Sequence, residues 1–561
     1  MEQHDASILS YKRLSASHLS SNNQPSKSAS NKISNMTSNM TSSIAMETIG
    51  STSEKLPEKR NDGKSLTDVI SLGELEENTL HYRGDVDLGM KVANESLGLE
   101  VDEATNKKLL RKADMFICTM MSVVYAVQYM DKQTNSYASI MGLREDLNMV
   151  GNQYSWVGTS FYLGYMIFEI PSSLALQRFP IAKTSGIFIL LWGFVLCMTC
   201  LPKTYAGFIV TRTILGILES AVTPAFMLLT SQWYKREEQL LRTSIWSASA
   251  GLGAILGALI AYGLTIRNAE TLPMVSWRLL YVVLGVITIA LGLVFLVHVP
   301  DTPATAWFLT KQERLLTVER IRTNKQGFGN RHFKMDQLKE VFMDIRTYLY
   351  FCLMVAAEIP NGGIGSFGSI MLKDMGFSTT KALLMGMPFG AVEFGGIVLV
   401  GYIAQRYQRR MYAAMFSYCL NIFSGCLLAF PASTHAQLAG YYLQGMAVIG
   451  WICFISCVSS NTAGHTKKVV TSAICMIGYC VGNLIGPQTF IATEAPHYRS
   501  AKIAIVVCFV ICLALTIALY YVNVRANKLR DAKNEKLDPS FINSEFADLT
   551  DFQNPEFRYS L

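Results

Sequence analysis

The sequence predicts an all-α polytopic membrane protein whose twelve transmembrane helices form two halves of six helices each. Half of the 561 residues are hydrophobic and only 16% are charged, which excludes an ordinary soluble domain and a disordered chain. Twelve apolar runs follow residue 112, and each has roughly the 20 residues that a helix needs to cross a bilayer. A polar stretch, residues 300–347, separates the first six runs from the last six.

The twelve runs divide into two equal groups. In the first half, residues 113–299, the predicted spans are 113–130, 154–175, 184–201, 206–230, 244–266 and 279–299. In the second half, residues 348–524, they are 348–372, 382–404, 411–430, 439–458, 469–492 and 501–524. Aromatic residues such as Trp233, Trp277 and Tyr348 stand at the ends of runs, where side chains anchor a helix at the membrane interface.

Two polar segments flank the spans. Residues 1–112 contain no apolar run and are rich in Ser, Thr, Asn, Lys and Glu, so we expect a disordered tail. Residues 525–561 form a second predicted tail. Phosphorylation of the first tail, and binding of kinases or ubiquitin ligases to the tails, are expected forms of regulation. The alternative for the first tail is a plain spacer.

The distribution of Lys and Arg predicts the orientation of the chain. The loops after the even-numbered spans, together with residues 300–347, hold roughly twice as many Lys and Arg residues as the loops after the odd-numbered spans. Basic loops remain on the cytoplasmic side, so both tails and the central linker are expected there. The formal net charge of +7 is therefore no sign of nucleic-acid binding, and the expected surroundings are membrane lipid.

Cysteines and catalytic motifs give no indication of an enzyme. All twelve cysteines lie within or beside apolar runs, where they are expected to pack as small residues. Cys197 and Cys200 have the spacing of a metal or redox pair, but the sequence places no second Cys or His pair near them. No nucleophile motif or phosphate-binding loop is visible. We expect no metal, no cofactor and no enzymatic activity.

The fourth span carries two opposite charges in an apolar run. Arg212, Gly216 and Glu219 are spaced by four and three residues, which puts them on one face of a helix. Each charge costs roughly 2.5–3.5 kcal/mol at the centre of a membrane helix, and such residues usually mark a solute or ion pathway. The pair therefore indicates a solute and proton site that faces an internal cavity. The alternative is a structural ion pair between two helices.

The seventh span contains the sequence Glu358-Ile-Pro-Asn361-Gly-Gly363 near its middle. Non-helical backbone is tolerated at that depth only where it contacts protein or a water-filled cavity. We therefore predict a break in the helix that lines a cavity, with a simple kink as the alternative.

Spans 2 and 8 resemble each other, which supports an internal repeat. Span 2 contains Glu169 and ends on Gln-Arg178-Phe, and span 8 contains Glu393 and ends on Gln-Arg406-Tyr. We expect Arg178, Arg406 and the nearby Lys183 to make charge contacts that hold an inner gate shut.

Several stretches carry a resemblance to a known family. They include Val299-Pro-Asp-Thr-Pro-Ala-Thr-Ala-Trp-Phe-Leu-Thr310, Gly464-His-Thr-Lys-Lys468, and Asp548-Leu-Thr-Asp-Phe-Gln-Asn-Pro-Glu-Phe-Arg-Tyr559. They resemble fungal permeases of the allantoate permease family, the anion:cation symporter branch of the major facilitator superfamily. The resemblance runs from about residue 105 to the end of the sequence. The loop 176–183 departs from the superfamily's Gly-rich, Asp-containing loop, so no details of a gate are carried over.

The resemblance implies a facilitator fold and proton-coupled uptake of a small organic anion by alternating access, with the proton as the coupling ion. Members take up ureides such as allantoate, other carboxylates, short peptides or vitamins, usually at the plasma membrane. The endoplasmic reticulum membrane is the alternative location. A transporter-like nutrient sensor and a uniporter of the same fold are alternative functions.

The charged and polar residues suit such a carrier. Arg212, Asn361 and Glu393 are expected to contact the solute, because a solute site lies near the membrane midplane between the two halves. Glu219, Glu169 and Glu358 are expected to carry the proton, because a buried carboxylate can cycle between charge states. Asp131, at the end of the first predicted span, is expected to pair with its neighbour Lys132, and a role in the cavity is the alternative.

Overall fold

The computed structural model describes residues 101–267, 274–322, 334–407, 410–431, 433–533 and 549–561. Every regular element in these ranges is a helix, which confirms the predicted all-α class. Most of the first predicted tail, residues 1–100, and residues 534–548 of the second lie outside the described residues.

Twelve long helical segments in the described ranges correspond to the predicted crossings and are called spans 1 to 12. Spans 1 to 6 are Glu103–Ile140, Gln153–Arg178, Ile181–Met198, Tyr205–Trp233, Arg236–Thr265 and Ser276–His298. Spans 7 to 12 are Ile345–Asp374, Thr379–Tyr407, Arg410–Ala429, Thr434–Asn461, His465–Gln488 and Arg499–Lys533. Ten of the described helices are long and apolar enough to cross a membrane, and spans 2 and 7 are not among them.

Spans 2 and 7 are the more polar members of the bundle. Each contains a proline and a buried glutamate, Pro171 with Glu169 in span 2 and Pro360 with Glu358 in span 7. Both spans pack against helices of the opposite half, so part of their surface meets protein in place of lipid. Polar residues are tolerated in a membrane helix when they face the interior of the bundle.

Two helices extend beyond the predicted boundaries. Span 1 begins at Glu103, within the predicted tail 1–112, and its Lys112 pairs with Glu313 of the linker at 2.7 Å. Span 12 continues to Lys533, within the predicted tail 525–561. A predicted span that stops at the first charged residue is too short when that residue has a partner and the helix continues past it.

The spans pack with the same pairing in both halves. In the first half, span 1 packs on span 5, span 2 on span 4 and span 3 on span 6. In the second half, the corresponding pairs six spans later are 7 with 11, 8 with 10, and 9 with 12. The predicted two-half architecture is therefore confirmed. The halves meet chiefly through span 5 against span 8, span 2 against span 11, and span 1 against span 7.

Glycines allow several of these helices to approach closely. A Cβ atom on Gly253 of span 5 would lie 2.0 Å from the Ala126 carbonyl oxygen of span 1. A Cβ atom on Gly486 of span 11 would lie 2.4 Å from the Ile359 carbonyl oxygen of span 7. Only glycine permits such backbone contact, as small-residue motifs do in other membrane helices.

Hydrogen bonds join the two halves at the end of the bundle that carries the turns after spans 1, 7 and 11, called here the outer end. The backbone N–H of Ser369 donates to Ser136 Oγ at 2.9 Å, and the Tyr154 hydroxyl donates to the Ser366 carbonyl at 2.8 Å. The Gln488 amide donates to Thr159 Oγ1 at 2.9 Å. These contacts between spans 1, 2, 7 and 11 close the outer end.

Two short helices of the linker dock on different halves. In helix Lys311–Arg322, Glu313 accepts from Lys112 of span 1, and this contact lowers the pKa of Glu313 to about 2. In helix Met335–Met343, Glu340 lies 3.6 Å from Lys467 of span 11. Each half therefore carries its own part of the linker on the face opposite the outer end, called here the inner face.

Candidate functional site

A central cavity lies between the two halves, on the inner side of the closed outer end. The cavity and the open space at its mouth together take up about 1110 Å³. Aromatic and small apolar residues form much of the wall, and four of the described lining residues are charged. These four are Lys132 of span 1, Glu219 of span 4, Glu358 of span 7 and Glu393 of span 8.

Lys132 supplies the positive charge among the described residues of this wall. Its Nζ atom lies 5.5 Å from the ring centre of Tyr162 and 5.9 Å from those of Tyr129 and Tyr479. It also lies 3.5 Å from the Tyr479 hydroxyl, across the boundary between the halves. No ion pair within 4.0 Å joins Lys132 to a carboxylate of the described chain. The tyrosines hold the ammonium group by cation–π contacts while its charge stays available.

The predicted pairing of Asp131 with Lys132 is wrong. Asp131 instead lies 3.6 Å from Arg212 Nη1 and accepts a hydrogen bond from Trp192 Nε1 at 2.7 Å. Adjacent residues on a helix point about 100° apart, so Asp131 faces spans 3 and 4 while Lys132 faces the cavity. The apolar run ends at Met130, but the helix continues to Ile140 and carries Lys132 inside the bundle.

Arg212 is buried behind the cavity wall. Its side chain is only 2% exposed, and its guanidinium group lies 5.3 Å from the ring centre of Phe161. With the Asn135 amide oxygen turned toward it, Arg212 Nε donates to that oxygen at 3.2 Å while the amide nitrogen donates to Tyr281. This is the arrangement of the alternative interpretation, a structural ion pair between two helices. The lining residues of the cavity do not include Arg212.

Glu219 does reach the cavity wall. One of its oxygens accepts from the Gln128 amide at 3.0 Å, and the other has no hydrogen-bond partner in the described part of the chain. The regular helix of span 4 is interrupted directly after Glu219 and resumes at Val222. Pro224 explains this interruption because it has no N–H to donate to the carbonyl of Ser220. Glu219 thus stands at a break in the helix, with one oxygen held and one available.

Glu358 is held by two amide side chains. Its Oε2 atom accepts from Asn361 Nδ2 at 2.7 Å and from Asn483 Nδ2 of span 11 at 2.9 Å. Asn361 lines the cavity with it, as predicted for this stretch. The predicted break in span 7 is wrong, because the helix is continuous from Ile345 to Asp374. Gly362 and Gly363 serve the close packing of span 11, since Cβ atoms on them would lie 2.8 Å from atoms of Asn483 and Phe490.

Glu393 lines the cavity without any such support. It is 1% exposed, and neither of its oxygens has a hydrogen-bond partner among the described residues. The Nε1 atom of Trp451 and the Oε1 atom of Gln444, two residues that also line the cavity, have no hydrogen-bond partner among the described residues either. Unsatisfied buried polar atoms that face a cavity are suited to bind a polar solute or water.

Glu169 lies outside the lining of the cavity, although it is buried. Counting back from the matching Gln-Arg ends, Glu169 is nine residues before Arg178, whereas Glu393 is thirteen residues before Arg406. The difference of four residues is about one helical turn. Tyr165 is therefore the counterpart of Glu393, and Tyr165 lines the cavity.

The three predicted gating residues lie near the inner face. Arg178 is exposed at the end of span 2, and Arg406 is exposed near the end of span 8. Lys183 lies 3.9 Å from Asp301, at the start of the linker directly after span 6, so this contact does not join the two halves. Their role in a gate is still a prediction.

A family model and several curated proteins match the chain. The Major Facilitator Superfamily model matches residues 121–487. The allantoate permease of Saccharomyces cerevisiae is 42% identical, covering 92% of this chain and 97% of that protein. Thiamine pathway transporter THI73 of the same yeast is 33% identical, with coverages of 87% and 93%. Uncharacterized transporter C1773.15 of Schizosaccharomyces pombe is 50% identical, with coverages of 82% and 93%.

The fold also matches solved structures. The proton:xylose symporter XylE, bound to 6-bromo-6-deoxy-D-glucose, superimposes with a TM-score of 0.56. The match covers 72% of this chain and 95% of that one at 14% sequence identity, so it supports the fold alone.

Proposed function

Because the chain belongs to the major facilitator superfamily, we propose that it is a proton-coupled transporter for uptake of a small organic anion. As a family member it is a multi-pass membrane transporter and not an enzyme. The proposed solute is allantoate or another ureide, with other carboxylates, short peptides and vitamins as further candidates. The observation that carries the proposal is the charge of the cavity wall, where one lysine stands among three glutamates.

Lys132 is the proposed contact for the anionic group of the solute. Its ammonium group has three N–H donors, and its charge is not neutralised at contact distance by a described carboxylate. A hydrogen bond between charged partners stabilises a complex by roughly 1.5–3 kcal/mol. In this proposal Lys132 takes the role that the sequence suggested for Arg212, which is already paired with Asp131.

The three glutamates explain why such an anion would arrive with protons. If all three were ionised, the four charged side chains of the wall would sum to −2. An anion about 8 Å from a carboxylate is destabilised by roughly 2 kcal/mol at an effective dielectric constant near 20. Protonation of the glutamates removes this repulsion, so anion and proton binding favour each other. This mutual dependence is the thermodynamic basis of symport.

Glu219 is the proposed proton carrier. It accepts a hydrogen bond from Gln128, which lies one helical turn before Lys132 in span 1, and its other oxygen has no described partner. Glu358 and Glu393 are the proposed sites for further protons or for donor groups of the solute. The plasma membrane, with both ends of the chain in the cytoplasm, is the proposed location.

Uptake measurements test the proposal. The chain is expressed in yeast cells without their own permeases, and radiolabelled allantoate uptake is measured with competing dipeptides, nicotinate, pantothenate and simple carboxylates. We expect saturable uptake that rises as external pH falls and that stops when an uncoupler removes the proton gradient. Saturable uptake that is indifferent to pH and uncoupler would indicate a uniporter. Binding of allantoate without uptake would indicate a sensor.

A further inference from the structure

A second buried charge cluster lies on the inner face of the second half, away from the cavity. Residues 549–561, called here the clasp segment, contact the end of span 10, the beginning of span 11, and span 12. Lys467, the third residue of span 11, is at the centre of the cluster. Its Nζ atom lies 2.8 Å from Asp551 of the clasp segment, 3.2 Å from Asp344 and 3.6 Å from Glu340.

Burial makes these charges dependent on one another. The side chain of Lys467 is 1% exposed and that of Asp551 is 0% exposed. The ring of Phe552 covers the ammonium group, with its centre 3.7 Å from Nζ. Removing one partner from a buried pair leaves an uncompensated charge in a site that water does not reach. The clasp segment is therefore an integral part of the packing around Lys467.

Side-chain amides from two spans bind the backbone of the clasp segment. Asn527 of span 12 accepts from the Tyr559 N–H and donates to the Tyr559 carbonyl, both at 2.9 Å. Asn461 at the end of span 10 accepts from the Ser560 N–H at 2.7 Å and donates to the Ser560 carbonyl at 3.1 Å. The segment is thereby fixed to two helices at once.

Tyr559 completes the attachment. Its hydroxyl donates to Asp551 Oδ2 at 2.7 Å, so it supports the same carboxylate that faces Lys467. Arg346 of span 7 stacks on its ring, with the guanidinium carbon 3.8 Å from the ring centre. Asp551 is therefore the point at which the clasp segment, span 7 and span 11 are joined.

The first half contains a similar buried ion pair at the same place, but with the two charges exchanged between the span and the segment outside it. Glu238 is the third residue of span 5, which corresponds to span 11 six spans later. It pairs with Arg320 of linker helix Lys311–Arg322, whose side chain is 1% exposed. In both halves, a segment outside the spans supplies a buried counter-charge to the inner end of the helix that packs against the opposite half.

We propose that the clasp segment fixes the inner end of span 11 to its own half, so that the ends of spans 7, 10, 11 and 12 move as one body during transport. Span 11 contacts span 2 of the first half toward the outer end, so a relative movement of the halves acts on this helix while the clasp segment holds its inner end. With the segment released, span 11 would bend independently and the movement would be transmitted poorly. The expected defect is slow turnover with nearly unchanged solute affinity.

Hydrogen exchange on the unmodified full chain in detergent is the first test. The backbone N–H groups of Tyr559 and Ser560 are expected to exchange at least tenfold more slowly than in an unstructured peptide of the same sequence. Asp551→Asn is expected to remove most of that protection. Exchange at the rate of the free peptide in the unmodified chain would overturn the proposal.

Transport kinetics are the second test, with allantoate as the probe and rates corrected for the amount of protein in the membrane. Asp551→Asn is expected to lower the maximal rate at least fivefold and to change KM less than twofold. The double variant Lys467→Met/Asp551→Asn is expected to be no slower than the slower single variant. Asp531→Asn is the matched control, because its pair with Arg558 is exposed at the same surface. A normal rate in Asp551→Asn would overturn the proposal.

Discussion

In the first half, the cavity wall carries Lys132 beside Glu219, whereas in the second half it carries Glu358 and Glu393 and no cation among the described lining residues. The halves have the same helix pairing, so the difference lies in side chains and not in architecture. It suggests a division of roles: the first half attracts the anionic group, and the second half offers acceptors to donor groups of the solute. Each prediction below tests one side of this comparison.

The largest expected effect is on the stability of the folded protein. It concerns the buried pair of Arg212 and Asp131, which lies behind the cavity wall of the first half. Arg212→Met leaves Asp131 without its counter-charge, which costs about 3–5 kcal/mol. We expect a markedly lower thermal midpoint of the purified protein in detergent. The double variant Arg212→Met/Asp131→Leu is expected to recover part of the loss. Normal stability of Arg212→Met together with weaker binding of anions alone would restore Arg212 as a solute contact.

The next largest effect is expected on solute uptake, when the positive charge of Lys132 is removed from the first half of the cavity wall. Lys132→Met removes a charged hydrogen bond worth about 2–3 kcal/mol, so uptake efficiency is expected to fall roughly 100-fold. Lys132→Arg is expected to retain part of the activity because it keeps the charge. The control is Lys373→Met, which changes an exposed lysine in the last turn of span 7. Uptake by Lys132→Met within threefold of the parent would show that the anion binds elsewhere.

A third prediction tests which half carries the residue that couples proton movement to solute uptake. Glu219→Gln is expected to lose at least tenfold of its concentrative uptake while exchange of external for internal solute continues, because a neutral amide cannot release a proton. Glu169→Gln, a buried glutamate outside the cavity lining, is the matched control. Radiolabelled uptake and counterflow give the two readouts. If Glu393→Gln produced this pattern and Glu219→Gln did not, the coupling site would belong to the second half.

The smallest effect is expected at Glu358. Two amide groups donate to the same oxygen of this side chain, so Glu358→Gln retains an acceptor and the shape of the site. We expect uptake to change about threefold, within the roughly 1 kcal/mol of one neutral hydrogen bond. Competition with solutes that differ in their N–H donors is the sharper measurement. A 100-fold loss would place Glu358 among the essential charges.

The sequence was sufficient to predict the helices and most of the acidic wall. The spacing of apolar runs gave the two halves, and Glu219, Glu358 and Glu393 stood out as charges that a membrane does not tolerate without a reason. All three residues line the cavity, and spans 7 and 8, which carry Glu358 and Glu393, pack against the first half.

The sequence does not show whether each charged side chain of a span faces a neighbouring helix or the cavity. Arg212 and Glu219 share one face of span 4 and both contact span 1, yet Arg212 meets Asp131 behind the wall whereas Glu219 meets Gln128 at the cavity. Lys132 was missed because the apolar run stops one residue before Asp131. Because adjacent residues on a helix point about 100° apart, a helix that continues past Met130 turns Asp131 and Lys132 in different directions, and Lys132 is the one that faces the cavity.

The presence of three glutamates and one lysine on the wall also bears on how the membrane voltage acts on this carrier. A monovalent anion that enters with one proton moves no net charge, whereas the same anion with two protons carries one positive charge inward. Each charge that crosses 100 mV contributes about 2.3 kcal/mol. That energy corresponds to an accumulation ratio of roughly 50-fold. In the proposed symport, the number of glutamates that gain a proton with each solute would therefore decide whether voltage, or only the pH gradient, drives accumulation.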